Sequence, residues 1–258
     1  MPIARFALGA LLALALALPS FAEEEAAPAE DPGWTGKISL GGNISSGTIN
    51  SYGGTIDAGT ENSWGPHNVK LGAFANYSHN DGGKKDSAVT TANEQRLTQY
   101  YRFIPSDSWY WYGNLEQARD TVRNIELRLL ANTGPGYRFW HADDKNLFEA
   151  EAGVGYRYED YGDVPGNIPE RSRNDVNGRV AANFLRVFGI AEFGQSAEFL
   201  LPFNDTSGWI ARGTTRLSFP IASGWSFANT LALEYFNTPP SGSKSFELDY
   251  IISLVYAF

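Results

Sequence analysis

Twelve charged residues stand at alternating positions in otherwise apolar or aromatic stretches: Glu126, Arg128, Arg138, Glu149, Glu151, Arg157, Arg179, Arg212, Arg216, Glu234, Glu247 and Asp249. The stretch LFEAEAGVGYRYED shows the pattern best. Phe148, Ala150, Ala152, Val154, Tyr156 and Tyr158 share one parity; Glu149, Glu151, Gly153, Gly155, Arg157 and Glu159 share the other. A period of two belongs to a strand with two unlike faces. Acids and bases mixed on an inward face have two physical uses. They pair with each other and fill the interior, or they line a narrow polar passage and set its ion preference.

Catalytic chemistry has weaker support. His67 and His141 fall in short turns and His79 opens a long loop as YSHND. A nucleophile needs a base within hydrogen-bond reach and a third group to orient that base. No His-x-Ser pair is present, and we assign no catalytic residue. Cysteine is absent, which removes disulfides, thiolate catalysis and cysteine metal sites together. The acid-rich pieces HNDGGKKD and YEDYGDVPGN lack the closing Glu of a twelve-residue calcium loop and read as solvated loop acids. The pairs Gly41-Gly42 and Gly53-Gly54 lie inside alternating stretches with no following helix. Strand curvature or a close lumen contact therefore explains them better than phosphate cradling. No metal or cofactor is assigned.

The elements that would carry these charges are strands. Residues 1–22 have a single positive charge at Arg5, an Ala/Leu core and a small-x-small end at Ser20 and Ala22, the pattern of a secretory signal peptide. Residues 23–33 form an acidic Pro/Ala tail, expected to be disordered and periplasmic. Residues 34–258 read as about twelve strands: 34–45, 49–62, 66–79, 91–104, 108–120, 125–140, 146–160, 173–187, 190–203, 207–219, 224–237 and 244–258. The fold class is therefore all-β, a transmembrane antiparallel barrel. An excess of Asp+Glu (29) over Lys+Arg (20) disfavours nucleic acid as a partner.

The connections alternate in character. NSWGPHN, IPSDS, WHADDKN, VFGI and FPIASGW are short and flanked by Phe103, Trp109, Trp140, Phe148, Phe188, Phe193, Phe219 and Trp225. SHNDGGKKDSAVTTANE, YEDYGDVPGNIPERSRN, FNDTSG and NTPPSGSKS are mostly longer and more polar. Short turns ringed by aromatics on one side and long loops on the other match outer-membrane barrels. Such a barrel has outer-membrane lipid as its surroundings, and an even strand number returns both termini to the periplasmic side of a Gram-negative envelope. The C-terminal stripe Tyr250, Ile252, Leu254, Tyr256 and Phe258 would face lipid and resembles the signal read by the barrel-assembly machinery.

WTGKISLGGNISSGTINS, YWYGNLEQARDTVRNIELRLLANTGPGY and LFEAEAGVGYRYED together resemble the salt-induced outer-membrane protein family of the YdiY type, whose function is unknown. The resemblance runs from Trp34 to Phe258. It implies location and architecture and carries no catalytic residues. Pro135 departs from the family pattern and lacks a ladder donor, so a bulge or an unpaired position is expected there. Three functions follow as expectations. The first is a narrow charge-lined channel or a salt- and osmotic-stress envelope protein, passing small ions or solutes. The second is a plugged structural or adhesive barrel acting through its long loops, and the third is a lipid-active enzyme.

Overall fold

A computed structural model of the chain describes residues 33–46, 51–80, 89–143, 145–162, 172–239 and 244–258. The expected signal peptide and nearly all of the acidic tail lie outside these residues, as do the middles of several long connections. Among the described residues the chain forms twelve strands: β1 (Thr35–Ser46), β2 (Ser51–Trp64), β3 (His67–Asn80), β4 (Val89–Phe103), β5 (Trp109–Asp120), β6 (Ile125–Asp143), β7 (Asn146–Tyr161), β8 (Ser172–Phe188), β9 (Ala191–Pro202), β10 (Ile210–Ala222), β11 (Trp225–Phe236) and β12 (Phe246–Ala257). Each pairs antiparallel with its sequence neighbours, and β12 returns to β1 to close the barrel.

Closure leaves no strand edge unpaired. At the seam, β1 and β12 run in register from Lys37↔Ala257 to Ser46↔Leu248. Gly36 and Phe258 finish the ladder with two backbone bonds: Gly36 N–H to Phe258 O at 2.8 Å and Phe258 N–H to Gly36 O at 2.9 Å. The Phe258 ring lies over Gly36, where an added Cβ would sit 2.6 Å from it.

Connection length separates the two ends. Four of the five turns at one end have two residues, and three of these hold a glycine at positive φ: Gly65 (52°), Gly189 (60°) and Gly224 (73°). Tight hairpins need that left-handed backbone. Longer connections gather at the other end, together with the short 3-10 turn Thr206–Gly208. There Asp205 caps the turn: its carboxylate accepts from Ser207 Oγ (2.6 Å) and Ser207 N–H (3.0 Å), bonds that hold this carboxyl below its ordinary range.

The amphipathicity is inverted relative to a soluble protein. Ile38, Leu40, Ile44, Val154, Tyr156 and many other large apolar side chains are exposed on the outer face, whereas Arg128, Glu149, Arg157, Glu159 and Asp175 are buried inside. At Pro135 the β6–β7 ladder passes from Thr133↔Val154 to Gly136↔Glu151, leaving Gly134 and Pro135 without partners on that side. Pro135 still stands opposite Trp111 of β5.

Candidate functional site in the lumen

Inward-facing strand positions from β4 to β11 build several groups of ion pairs along the lumen. Near the short-turn end, Arg102 of β4 meets Glu149 of β7 fork to fork, Nη1 to Oε2 at 3.0 Å and Nη2 to Oε1 at 2.9 Å. Arg138 stands 3.8 Å from the same carboxylate. Glu151 accepts from Tyr110 at 3.0 Å, from Arg179 at 2.6 Å and from Tyr100. Arg179 continues to Glu198 at 2.6 Å, and Glu198 lies 3.4 Å from Arg212.

Arg212 joins walls that are far apart. From β10 it donates to Glu234 on neighbouring β11 at 2.8 Å and reaches Glu116 on β5 at 3.3 Å. In a twelve-strand ring β5 and β10 stand on nearly opposite sides, so this contact crosses the lumen. Nearer the long-loop end, Arg123 in the β5–β6 turn points inward to Glu234 at 2.7 Å and to Glu247 on β12, the far wall. Asn124 beside it holds a positive φ of 58° and ties the turn to the end of β7, its side-chain amide donating to Gly162 O at 2.8 Å. A third group, Arg128–Glu159 (2.6 Å) and Arg157 and Arg173 on Asp175, lies between β6 and β8.

The other part of the wall, β12 through β3, is lined by small polar residues. Ser39, Asn43, Thr55, Ser78 and Ser253 are buried there. Gly53 permits close strand approach, since a Cβ would lie 2.1 Å from Tyr77 O. Two spaces remain. One, of about 310 Å³, sits among Arg96, Arg102, Glu116, Arg179 and Arg212. A wider one, of about 700 Å³, opens toward the short-turn end beside Lys37, Asp57, Glu61 and Lys70.

Eleven of the twelve charges singled out from the sequence lie on inward-facing positions or at the strand ends next to them. Glu126 differs. A register shift between Ile125 and Leu127 turns Ile125 inward and leaves Glu126 exposed, paired with Arg119 at 2.9 Å. Arg216 forms no ion pair among the described residues. Sequence reasoning passed over Glu94, Arg96, Arg102, Glu116, Arg123, Asp175 and Glu198. Parity on β4 (94, 96, 102) was a usable signal; nothing local marks Arg123, which reaches the lumen from a turn.

The eight aromatics flanking the short connections occupy the short-turn end, and the structure links several through residues not singled out. Phe139 stacks on Phe148 at 5.1 Å, Phe184 contacts both Phe148 (6.4 Å) and Phe193 (6.2 Å), and Trp225 meets Tyr256 at 4.9 Å. Tyr250, Ile252, Leu254 and Tyr256 of β12 and Phe258 just beyond it are all exposed. His67 belongs to this rim, bonded to Tyr101 at 2.8 Å and stacked on Trp64. His79 pairs with Tyr52 and Thr90 inside the sheet, and His141 ends near the β6–β7 turn. Among the described residues no three His, Asp or Glu side chains converge as metal ligands.

A closed barrel with a polar, charge-paired interior can be compared with known proteins on both sequence and shape. The model of the family described as Protein of unknown function, DUF481, matches residues 38–258. The chain belongs to this family. No curated protein matches it in sequence. Among solved structures the barrel is similar to the NanC porin, with 13% identity, 85% of this chain and 98% of that chain covered, and a TM-score of 0.52. The translocator domain of autotransporter NalP from Neisseria meningitidis gives 11%, 87%, 88% and 0.51. An outer membrane channel from Pseudomonas putida F1 gives 7%, 92%, 100% and 0.51. At these identities the likeness is one of fold, and it places this family member among outer-membrane-type barrels.

Proposed function

We propose that the protein spans the outer membrane of a Gram-negative bacterium, with both termini periplasmic, as a narrow channel for water and small ions or solutes. Arginine–carboxylate bridges hold its lumen partly closed. The inverted amphipathicity supports the membrane setting, because an apolar belt with aromatics at its rim is stable only against lipid. The signal-peptide pattern of residues 1–22 supports export. Induction by salt stays an implication of the family resemblance.

The observation that carries the reading is Arg212. Its contact with Glu116 runs across the barrel, yet polar spaces of about 310 and 700 Å³ persist beside and below it. A packed core would have closed both. Single-channel recording of the refolded protein in a planar bilayer tests this. Small, steady conductance that rises in Arg212→Ala, with an altered ion preference in Arg216→Ala, is expected. A folded, heat-modifiable barrel that stays silent in all three forms would overturn the channel reading in favour of a plugged scaffold acting through its loops.

A further inference from the structure

At the long-loop mouth, three guanidinium groups share two carboxylates. Arg128 donates through Nε to Glu159 Oε1 at 2.6 Å, and the Tyr161 hydroxyl takes Glu159 Oε2 at 2.6 Å. Arg157 and Arg173 both use a single oxygen of Asp175, with Nε distances of 3.1 and 2.8 Å. Within these contacts three guanidinium groups meet two carboxylates directly, and Asp205 of the adjoining turn adds a third negative charge near Arg173. The three guanidinium groups surround a cavity of about 90 Å³ closed below by Gly208 and Phe236.

The cavity also contains a donor with nothing to give to. Arg128 is only 5% exposed, and its Nη2 has no hydrogen-bond partner among the described residues. The Phe236 ring, 5.8 Å from the guanidinium carbon, backs the group on its other side. Gly208 keeps the floor low: a Cβ there would fall 2.2 Å from Arg173 Nη2. Buried N–H groups are nearly always satisfied, and an unpaired charged one is costly. A group that carries a negative charge and two acceptor oxygens would satisfy this donor among the three guanidinium groups, and guanidinium forks match carboxylates and phosphates in this way.

We propose that this pocket is a binding site for one small oxyanion group, a carboxylate or a phosphate, carried by a solute that reaches the long-loop mouth. Binding here is separable from conduction, since it asks only that the group be held.

Calorimetric titration of the refolded protein in detergent with sodium acetate and with sodium phosphate, against sodium chloride at matched ionic strength, tests the site. Saturable one-site binding of acetate or phosphate, absent with chloride, is expected, and the anion that binds identifies the group. Arg173→Gln, at a partly exposed position that does not threaten folding, and Arg128→Lys, which keeps a charge for Glu159 but loses the fork, should each weaken binding by about tenfold or more. Arg216→Gln, toward the opposite end of the barrel, should leave it unchanged. Absence of saturable binding by either anion, or binding that survives both Arg173→Gln and Arg128→Lys, would overturn the proposal whatever the bilayer recordings show.

Discussion

Replacing Arg212 by Met removes one guanidinium from contact with three carboxylates, and the remaining partners determine the cost. Glu234 keeps Arg123 at 2.7 Å and Glu198 keeps Arg179 at 2.6 Å. Glu116 has no second cation within ion-pair distance among the described residues, so it alone loses its only direct partner and keeps only the more distant charges of Arg96 and Arg128. Breaking a buried pair by deleting one partner costs about 3–5 kcal/mol, and a polar lumen that admits water places this case at the low end, about 3 kcal/mol. With a urea slope of about 3 kcal/mol per M, the unfolding midpoint should fall by about 1 M. The companion change Glu116→Gln removes the stranded charge. In the double variant it should restore about 1–2 kcal/mol, a coupling readable from a double-mutant cycle. Tryptophan emission in lipid vesicles under increasing urea provides the assay, and Arg216→Met, which breaks no ion pair, should move the midpoint by less than about 0.2 M. An unchanged midpoint in Arg212→Met, or purely additive effects of the two changes, would refute the claim that Arg212 braces the far wall through Glu116.

Two further outcomes follow from close backbone approach. Gly53→Ala should abolish refolding or slow it severely, because its Cβ would lie 2.1 Å from Tyr77 O; Gly42→Ala, whose nearest atom is 3.7 Å away, should refold like the parent, as read by heat-dependent gel mobility. Gly36→Val should displace the Phe258 ring and loosen the β1–β12 seam, seen as faster amide exchange at Ile38 and Tyr256 with little change at Leu217 and Phe227.

Strand number, strand order and the inequality of the two ends were legible in the sequence because each rests on local information: period two, turn residues and connection length. The strand expected over 146–160, for example, is observed over Asn146–Tyr161. Parity failed where faces are not simply polar and apolar. In β5, Trp109 and Trp111 are 56% and 53% exposed while Tyr110 and Tyr112 are 3% and 0% exposed, so aromatics occupy both faces and only the hydroxyl distinguishes them. It also failed at Glu126, where a one-residue slip reverses inward and outward. The partners across the lumen could not be read at all. Periodicity reveals which face a side chain takes, whereas the pairing of Arg212 with Glu116 depends on strand tilt and barrel closure.

The division of the lumen bears on what a passage through it would discriminate. On the β4–β11 side each arginine of the ion-pair groups is already committed to carboxylates, often on more than one strand, so the fixed charges there largely cancel at the length scale of a passing ion. Rings of one sign select strongly by charge; paired charges of both signs do so weakly. The β12–β3 side presents Ser39, Thr55, Ser78 and Ser253, side chains too short to reach across, and the longer Lys37, Asp57, Glu61 and Lys70 only around the wider space at the short-turn end. A solute on the proposed path would therefore follow the small polar wall, where width is set by residues that cannot fold inward, and would meet the ion-pair groups as a rigid opposite bank. Size should govern passage more than charge, and any preference among ions should originate at the lumen cations outside those groups, Lys37 and Arg216 toward the short-turn end.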